Sequence, residues 1–231
     1  MKLALRIARY PALSGQRLRA ELELLTSEPS GWQGLELVLR WGGLTLWDHG
    51  YRSSPRSMAR LRASGHLCAW ARREGIALDP SEVALIALLT DQRSSVVTRS
   101  LGRLAFTGEP FIALRAAAGA HALARRLGGA IARSPSKIAD LLQPCPVQVL
   151  VGAWLQGDKH ARRRVEWFLS RGRAMRPLLS GAEVVALGVE PGPEVGRCLG
   201  ALRRLRLDGA LATLGQERGF VKQWLATRRV T

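Results

Sequence analysis

The sequence predicts an all-α protein, and three observations support this prediction. Apolar residues recur at intervals of three and four, which is the spacing of a helix face. Sustained apolar/polar alternation and Asn-Gly hairpin signals are lacking, whereas capping residues precede almost every periodic apolar stretch. The 231 residues are 47% hydrophobic and 23% charged, which is typical of a folded chain that buries a core. We therefore expect a multi-helix body followed by a small helical C-terminal tail unit.

The first two helices are predicted from their N-terminal caps. Ser14 is placed to cap a helix that runs to Leu25, with leucines recurring on one face. Ser30 and Gln33 have the spacing of a capping box for a second helix, which runs to Trp41 and is ended by two glycines. These two elements form the expected N-terminal pair.

Proline after a capping residue marks the next two helices, because proline is tolerated at the first helical position. Ser54-Pro55 opens the third helix, and Asp79-Pro80 opens the fourth. The fourth carries the apolar run 83–89, which predicts a helix buried in the core. Further helices are expected over 94–105, 110–128, 135–142 and 146–155, and from Asp158 to Ser170.

The C-terminal region predicts two capped helices joined by a glycine-rich corner. Ser180 and Glu183 have capping-box spacing, and Gly188 follows that helix where a positive φ is favoured. Gly192-Pro193 then opens the second helix. Free amides and the positive end of the helix dipole make such a corner a candidate phosphate site. The alternative is a tight turn whose glycines only permit close helix packing.

The charge balance indicates a polyanionic partner. Thirty-five Lys and Arg stand against eighteen Asp and Glu, so the formal net charge is +17 and the sequence pI is about 11.5. All but four of the basic residues are arginines, which favours planar bidentate contacts with phosphate. Biased codon usage is an alternative reason for the arginine preference, but it does not explain the excess over acids.

The remaining composition narrows the class of protein further. Cys68, Cys145 and Cys198 are widely separated, so neither a disulfide framework nor a zinc site is indicated, and we expect a reducing, cytoplasmic location. Neither a secretion signal nor a membrane span is predicted. His66 and Cys68 are two residues apart and would point away from each other on a helix, so we do not expect them to bind a metal ion together. No catalytic triad, P-loop or dinucleotide motif is present.

Two separated segments resemble one enzyme family. The sequence LSGQRLRAEL at 13–22, followed by GLELVLRWGGL at 34–44, is similar to the neck-to-body segment of bacterial class II tRNA nucleotidyltransferases and their poly(A) polymerase relatives. The C-terminal LSG at 179–181, LGVEPGPEVG at 187–196 and LDG at 207–209 are similar to the tail of the same family. Gln16 departs from the family pattern, which has Glu there, so a bracing salt bridge is in doubt.

The resemblance implies a chain without the catalytic head of that family. The head supplies a Gly-Ser turn and an Asp-x-Asp pair that holds two metal ions. Here the nearest aspartates in sequence are Asp79 and Asp91, and the templating Glu-Asp-x-x-Arg of the neck is also absent. We therefore expect no catalysis by this chain alone and no cofactor, with Mg²⁺ entering only through a catalytic partner. The implied segments are neck-like helices over 1–28, a body over 29–170 and a tail over 171–231.

The candidate site residues form two sets. Phosphate-backbone contacts with RNA are predicted for Lys159, Arg162, Arg163, Arg171, Arg173, Arg176, Gly192, Gly196, Arg197, Arg203 and Arg204. A solvated basic face is the alternative for the run that begins at Lys159. A structural or head-docking role is predicted for Arg6, Arg9, Arg17, Arg19 and Glu21.

Three functions fit these observations. The first is an RNA-binding protein that grips the acceptor arm and elbow of tRNA. The second is the same protein as a subunit of a split CCA-adding or poly(A)-adding enzyme, with a separately encoded head. The third is a stand-alone helical scaffold that binds nucleic acids without selectivity.

Overall fold

The computed structural model describes residues 13–130 and 134–228. Within these residues it contains thirteen α-helices and no β-strand, which confirms the predicted all-α class. Arg6 and Arg9 lie outside the described residues. The described chain divides into two compact units. Unit 1 runs to Gly128 and includes Cys145–Val165, and unit 2 comprises Gly129–Pro144 and the residues from Glu166 onward. The predicted segments 1–28, 29–170 and 171–231 stay a prediction.

The helices follow one another with short connections. Unit 1 contains α1 (Gly15–Ser27), α2 (Gly31–Arg40), α3 (Pro55–Arg73), α4 (Pro80–Leu89), α5 (Ser94–Arg103), α6 (Gly108–Ala118), α7 (His121–Gly128) and α9 (Val147–Gln156), and α10 (Lys159–Trp167) begins in it. Unit 2 contains α8 (Pro135–Leu142), α11 (Gly181–Ala186), α12 (Pro193–Leu207) and α13 (Leu214–Arg228). A 3₁₀ turn at Gly43–Leu46 follows α2, and a π-helical turn at Phe168–Gly172 follows α10.

Helix α4 forms the centre of unit 1. The Asp79 carboxylate accepts hydrogen bonds from the N–H groups of Ser81 at 2.8 Å and Glu82 at 3.3 Å, which fixes the start of the helix. Every residue from Val83 to Leu89 is buried, and α1, α3, α6 and α9 all pack against this helix. The apolar run 83–89 is therefore core, as predicted.

Most predicted caps are present, and one is not. Ser14 accepts from the Arg17 N–H at 3.2 Å, and Ser54 forms a capping box with Ser57 at the start of α3. The predicted Ser30 capping box is wrong, because the Ser30 side chain makes no cap hydrogen bond. Its backbone, at φ −93° and ψ 2°, has a turn conformation instead of the extended one that an N-cap normally adopts.

The helix predicted over 110–128 is two helices. The N–H of Gly119 bonds to the Ala116 carbonyl at 3.1 Å, and the N–H of Ala120 bonds to the Ala117 carbonyl at 3.2 Å. These bonds to the third residue back tighten the chain and end α6, after which α7 begins at His121.

Unit 2 has a small apolar core and buried polar links. Its buried centre consists of Leu179, Val184, Val189, Cys198, Leu202 and Val221, contributed by α11, α12, α13 and the loops beside them. Asp208 accepts from the Ser136 N–H at 2.8 Å and hydroxyl at 2.7 Å, and so joins the end of α12 to the start of α8. This contact gives the LDG sequence at 207–209 a structural role.

Glu217 on α13 is the most deeply buried acidic residue of unit 2, with a relative exposure of 0%. Its carboxylate accepts from the Leu178 N–H at 2.9 Å, from the Leu179 N–H at 2.9 Å and from the Arg206 guanidinium at 3.2 Å. Buried charges are tolerated when they are paired and hydrogen-bonded in this way. The carboxylate therefore fastens the loop before α11 to α12 and α13.

No single helix among the described residues is long and apolar enough to cross a membrane. Two successive shorter helices, Pro135–Leu142 and Val147–Gln156, meet the length and composition requirements only when they are counted together.

Candidate nucleic-acid interface

The corner between α11 and α12 has the predicted local geometry. The Glu183 carboxylate accepts from the Ser180 N–H at 2.8 Å and hydroxyl at 2.7 Å, and Ser180 Oγ accepts from the Glu183 N–H at 3.3 Å. The first of these bonds, with the hydroxyl next, holds the pKa of Glu183 below its usual range. Gly188 and Gly192 have φ values of 106° and 123°, which side chains disfavour. The predicted capping box and glycine corner are thus confirmed as structure.

The outer face at the start of α12 is open. Gly192, Gly196 and Gly200 are spaced four residues apart, so the two helical ones share a face. A Cβ added at any of the three would meet no described atom within 4 Å. Close helix packing therefore does not account for Gly192 and Gly196, although the positive φ of Gly192 fits the tight turn of that alternative. Another molecule can approach this backbone closely.

One ion pair lies beside this open face. The Arg197 guanidinium pairs with the Glu194 carboxylate one turn earlier, and the Arg197 side chain is 61% exposed. Glu194 is also favourably placed near the positive end of the α12 dipole. An anion that binds here must therefore compete with Glu194 for Arg197.

Arg203 and Arg204 on α12 face other parts of unit 2. Arg203 donates to the Met175 carbonyl at 3.0 Å, to the Gly172 carbonyl at 3.1 Å and to the Gln143 side chain at 2.9 Å. Desolvation, with a smaller effect from Arg176, lowers the pKa of Arg203 from its usual value. Arg204 pairs with Asp140 of α8 at 3.1 Å, and both side chains are largely exposed. Both guanidiniums thus have partners inside the unit, and their contact with RNA stays a prediction.

The arginines within and after the π-helical turn lie on the surface of unit 2. Arg171 and Arg173 are exposed. Arg176 is also exposed and donates to the carbonyls of Arg173 and Met175, at 2.8 and 3.0 Å. These bonds hold the loop in a compact form and leave the other guanidinium nitrogens of Arg176 for a ligand.

Helix α10 separates its basic residues into two groups. Asp158 caps the helix by accepting from the His160 and Ala161 N–H groups, at 3.0 and 2.8 Å. Arg162 donates to the Trp154 carbonyl at 3.2 Å, with its guanidinium carbon 4.6 Å from the centre of the Trp154 ring. Lys159 and Arg163 are exposed one turn apart. Within unit 1 the outward cations of this run are therefore Lys159 and Arg163.

Helix α1 contains one ion pair between its own charged residues. Arg19 donates to Glu23 at 2.8 Å and lies over the Phe106 ring, 4.1 Å from its centre. Arg17 and Glu21 are exposed. Gln16 is also exposed, and among the described residues its side chain has no hydrogen-bond partner. Within residues 13–130 and 134–228, no neutral hydrogen bond of the Gln16 side chain replaces the salt bridge that this substitution places in doubt.

The thiol groups and acidic residues give no sign of a metal centre in the described part of the chain. No group of three or more His, Cys, Asp or Glu side chains is arranged there to hold an ion. Cys198 is buried, and Cys68 and Cys145 are partly buried. Burial raises the pKa of the Cys68 thiol to about 11 and the pKa of Cys145 above its usual value.

Comparison with known proteins supports the resemblance found in the sequence. No family model matches the chain. It is 44% identical over 66 residues to the CC-adding tRNA nucleotidyltransferase of Thermus thermophilus, a match that covers 28% of this chain and 15% of that enzyme. It is 51% identical over 49 residues to the A-adding tRNA nucleotidyltransferase of Deinococcus radiodurans, covering 21% of this chain and 11% of that enzyme.

The fold is also that of solved CCA-adding enzymes. The Thermotoga maritima CCA-adding enzyme complexed with tRNA matches 97% of this chain and 55% of its own, with a TM-score of 0.78 and 15% identity. A CCA-adding enzyme in a second apo form matches 98% of this chain and 53% of its own, with a TM-score of 0.76. The chain thus spans about half the length of these enzymes. Its predicted similarity to the helical part of the family, without the head, is confirmed.

Proposed function

We propose that this chain binds tRNA through the phosphate backbone and serves as the RNA-binding subunit of a split CCA-adding or poly(A)-adding enzyme. The observation that carries the proposal is the 44% identity over 66 residues with a CC-adding enzyme. The net charge of +17 supports it, because neutralising phosphates is the main source of affinity for nucleic acids. A cytoplasmic site of action is part of the same proposal.

In this proposal the metal-binding carboxylates come from outside these 231 residues. The sequence has six aspartates and no Asp-x-Asp pair. The head, its Mg²⁺ and its nucleotide therefore belong to the partner, and this chain supplies the surface that holds the RNA. Arg17, Arg19 and Glu21 of α1 are the described residues proposed to brace or meet that partner.

The outward cations provide the contacts. In unit 1 these are Lys159 and Arg163, and in unit 2 they are Arg171 and Arg173. Arg197 is the outward cation next to the open glycine face of α12. Contacts of this kind position an RNA and read its shape without reading its bases. We therefore expect folded tRNA to be preferred over duplex DNA of similar length.

Binding measurements test the RNA-binding part of the proposal. The affinities for tRNA, for a minihelix that carries the tRNA elbow and for duplex DNA are compared over a range of salt concentrations. We expect tRNA and the minihelix to bind more tightly than DNA at every salt concentration. Equal affinities with the same salt dependence would support the alternative of an unselective scaffold and overturn the tRNA proposal.

A substitution at Gly196 tests whether the glycine corner between α11 and α12 contacts tRNA. Gly196→Leu places a large side chain on the open face of α12, so we expect the tRNA affinity to fall about tenfold through steric exclusion. Gly219→Leu is the matched control, because Gly219 also lies inside a unit 2 helix and has no described neighbour within 4 Å of an added Cβ. Equal affinities for the two variants would contradict a role for the corner.

Nucleotide-incorporation assays test the proposal that this chain is a subunit of a split enzyme. CTP or ATP incorporation into tRNA by this chain alone should be undetectable, and activity would overturn the proposal. Addition of a purified head with Gly-Ser and Asp-x-Asp sequences should restore incorporation. A head whose activity is unchanged by this chain would contradict the subunit role and leave the binding role intact.

A further inference from the structure

An open groove in unit 1 lies between the end of α2 and the start of α3. Its volume is about 530 Å³, and none of its residues belongs to the set predicted to bind RNA. The groove is lined by Leu39, Arg40, Ser53, Ser54, Pro55, Met58, Ala59 and Arg62. Its two charged lining residues are arginines, one contributed by each helix.

A single buried carboxylate holds both arginines. Glu36 on α2 is 8% exposed, and its carboxylate accepts from Arg62 Nε at 3.1 Å, from Arg62 Nη2 at 2.7 Å and from Arg40 Nη2. The Arg62 and Arg40 side chains are themselves 53% and 56% exposed. Glu36 thus lies beneath the two guanidiniums while their outer edges face solvent.

The two guanidiniums keep unused donors. Each guanidinium has five N–H groups, and the bonds to Glu36 occupy two on Arg62 and one on Arg40. Because Glu36 fixes the Arg62 plane through two bonds, less side-chain freedom is lost when a ligand binds. Hydrogen bonding to Arg62 holds the pKa of Glu36 at about 2, so the carboxylate is ionised at neutral pH.

The surroundings of the groove carry an excess of positive charge. The first half of helix α3 contains Arg56, Arg60 and Arg62, and the helix has no acidic residue. Arg56, next to the groove residue Pro55, is exposed, and the structure gives its side chain no partner among the described residues. Asp91, whose carboxylate receives the Ser54 hydroxyl at 3.3 Å, also pairs with Arg60. The groove is therefore cationic even after Glu36 is counted.

We propose that this groove is a second RNA-binding site, in which the outer N–H groups of Arg40 and Arg62 hold the phosphodiester backbone. Paired planar donors fit the oxygens of a phosphate, and Ser53 adds an exposed hydroxyl to the same groove. Glu36 is a positioning residue that acts through the two arginines. The inference rests on the proposed tRNA-binding function and extends it to a surface of α2 and α3.

The test compares tRNA binding by two variants that lose the same net charge. E36Q/R40Q/R62Q removes both arginines without leaving a buried carboxylate unpaired, and R125Q removes one exposed arginine of α7 that has no partner among the described residues. Each variant loses one net positive charge. We expect the triple variant to bind tRNA at least tenfold more weakly, with the slope of log affinity against log salt reduced by roughly 1 to 2. The R125Q slope should match that of the wild type.

The outcomes separate this inference from the proposed function. If the wild type binds tRNA and the triple variant matches R125Q, with circular dichroism showing that both are folded, the groove inference is wrong and the proposed function stands. If the wild type does not bind tRNA, both fail. Inorganic phosphate competes for the same guanidinium donors, so replacing chloride by phosphate at constant ionic strength should weaken tRNA binding more in the wild type than in the triple variant. Equal weakening of the two proteins would show that these donors do not hold the RNA backbone and would overturn the inference.

Discussion

The two units are stabilised in different ways. Unit 1 surrounds α4, whose residues from Val83 to Leu89 are all buried and all apolar. Unit 2 has a smaller apolar centre and adds the fully buried Glu217, which accepts from two backbone N–H groups and from Arg206. Small units bury a smaller fraction of their surface and gain less from the hydrophobic effect. We therefore expect polar links to supply a larger share of the stability of unit 2 than of unit 1.

The largest effect is expected in the core of unit 1. Leu85→Ala removes a side chain that is 0% exposed on α4, and we expect the free energy of unfolding to fall by about 3 kcal/mol. Urea denaturation measures the total decrease in the free energy of unfolding. Hydrogen exchange should show that the loss of protection lies in the helices that contact α4. Leu24→Ala is the control, since Leu24 is 69% exposed. Equal losses for the two variants would show that α4 is not the centre of unit 1.

The second largest loss of stability is expected when the polar link formed by Glu217 in unit 2 is weakened. Glu217→Gln turns a carboxylate that accepts from three donors into an amide with two donors of its own, which should cost about 2 to 3 kcal/mol. Hydrogen exchange at the Leu178 and Leu179 amides reports the change directly. Glu190→Gln is the control, because Glu190 is exposed. Unchanged exchange at both amides in the Glu217→Gln variant would remove the contrast between the units.

Acidification tests the contribution of Glu36, the carboxylate in unit 1 that holds Arg40 and Arg62. The pKa of Glu36 is lowered from 4.5 to about 2, so its stabilisation is complete above about 4.5 and is lost as the pH falls towards 2. Glu36→Gln should therefore reduce stability at pH 6, by less than Glu217→Gln does. The difference from wild type should shrink between pH 4.5 and pH 2. Unfolding by urea at each pH measures it, and a constant difference would disprove the assigned pKa direction.

The smallest effect is expected on the open face of unit 2, and its sign is opposite. Gly196→Ala places a methyl group where no described atom lies within 4 Å, so helix propensity should raise the stability by roughly 0.5 to 1 kcal/mol. Gly152→Ala on α9 is the contrasting variant, since its Cβ would lie 2.2 Å from the Ala117 carbonyl oxygen. Destabilisation by Gly196→Ala in thermal unfolding would show that packing explains this glycine after all.

Local sequence signals predicted the fold well because helix caps act within three residues. Ser14, Ser54, Asp79, Asp158 and Ser180 all cap helices as expected. Ser30 has the correct residue type, but two residues after Glu28 its backbone lies within a turn, and residue type alone does not fix the backbone.

The candidate site was less predictable because its charges find distant partners. Arg62 binds Glu36 across 26 residues, and Leu178 binds Glu217 across 39. No spacing rule signals such pairs. Arg203 illustrates the consequence: the sequence marks it as a cation beside the corner, and its guanidinium instead donates to two carbonyls and to Gln143. Counting arginines in a sequence therefore overestimates the cations that remain available to a ligand.

The burial of the thiols has a practical consequence for fluorescence work. A thiol whose pKa is raised to about 11, as at Cys68, is almost wholly protonated at neutral pH and reacts slowly with maleimides. Cys198 is shielded by the core of unit 2, and the pKa of Cys145 is also raised. A new cysteine at the exposed Ser53 should therefore take up a dye selectively, without removal of the three native ones, and report directly on events in the groove.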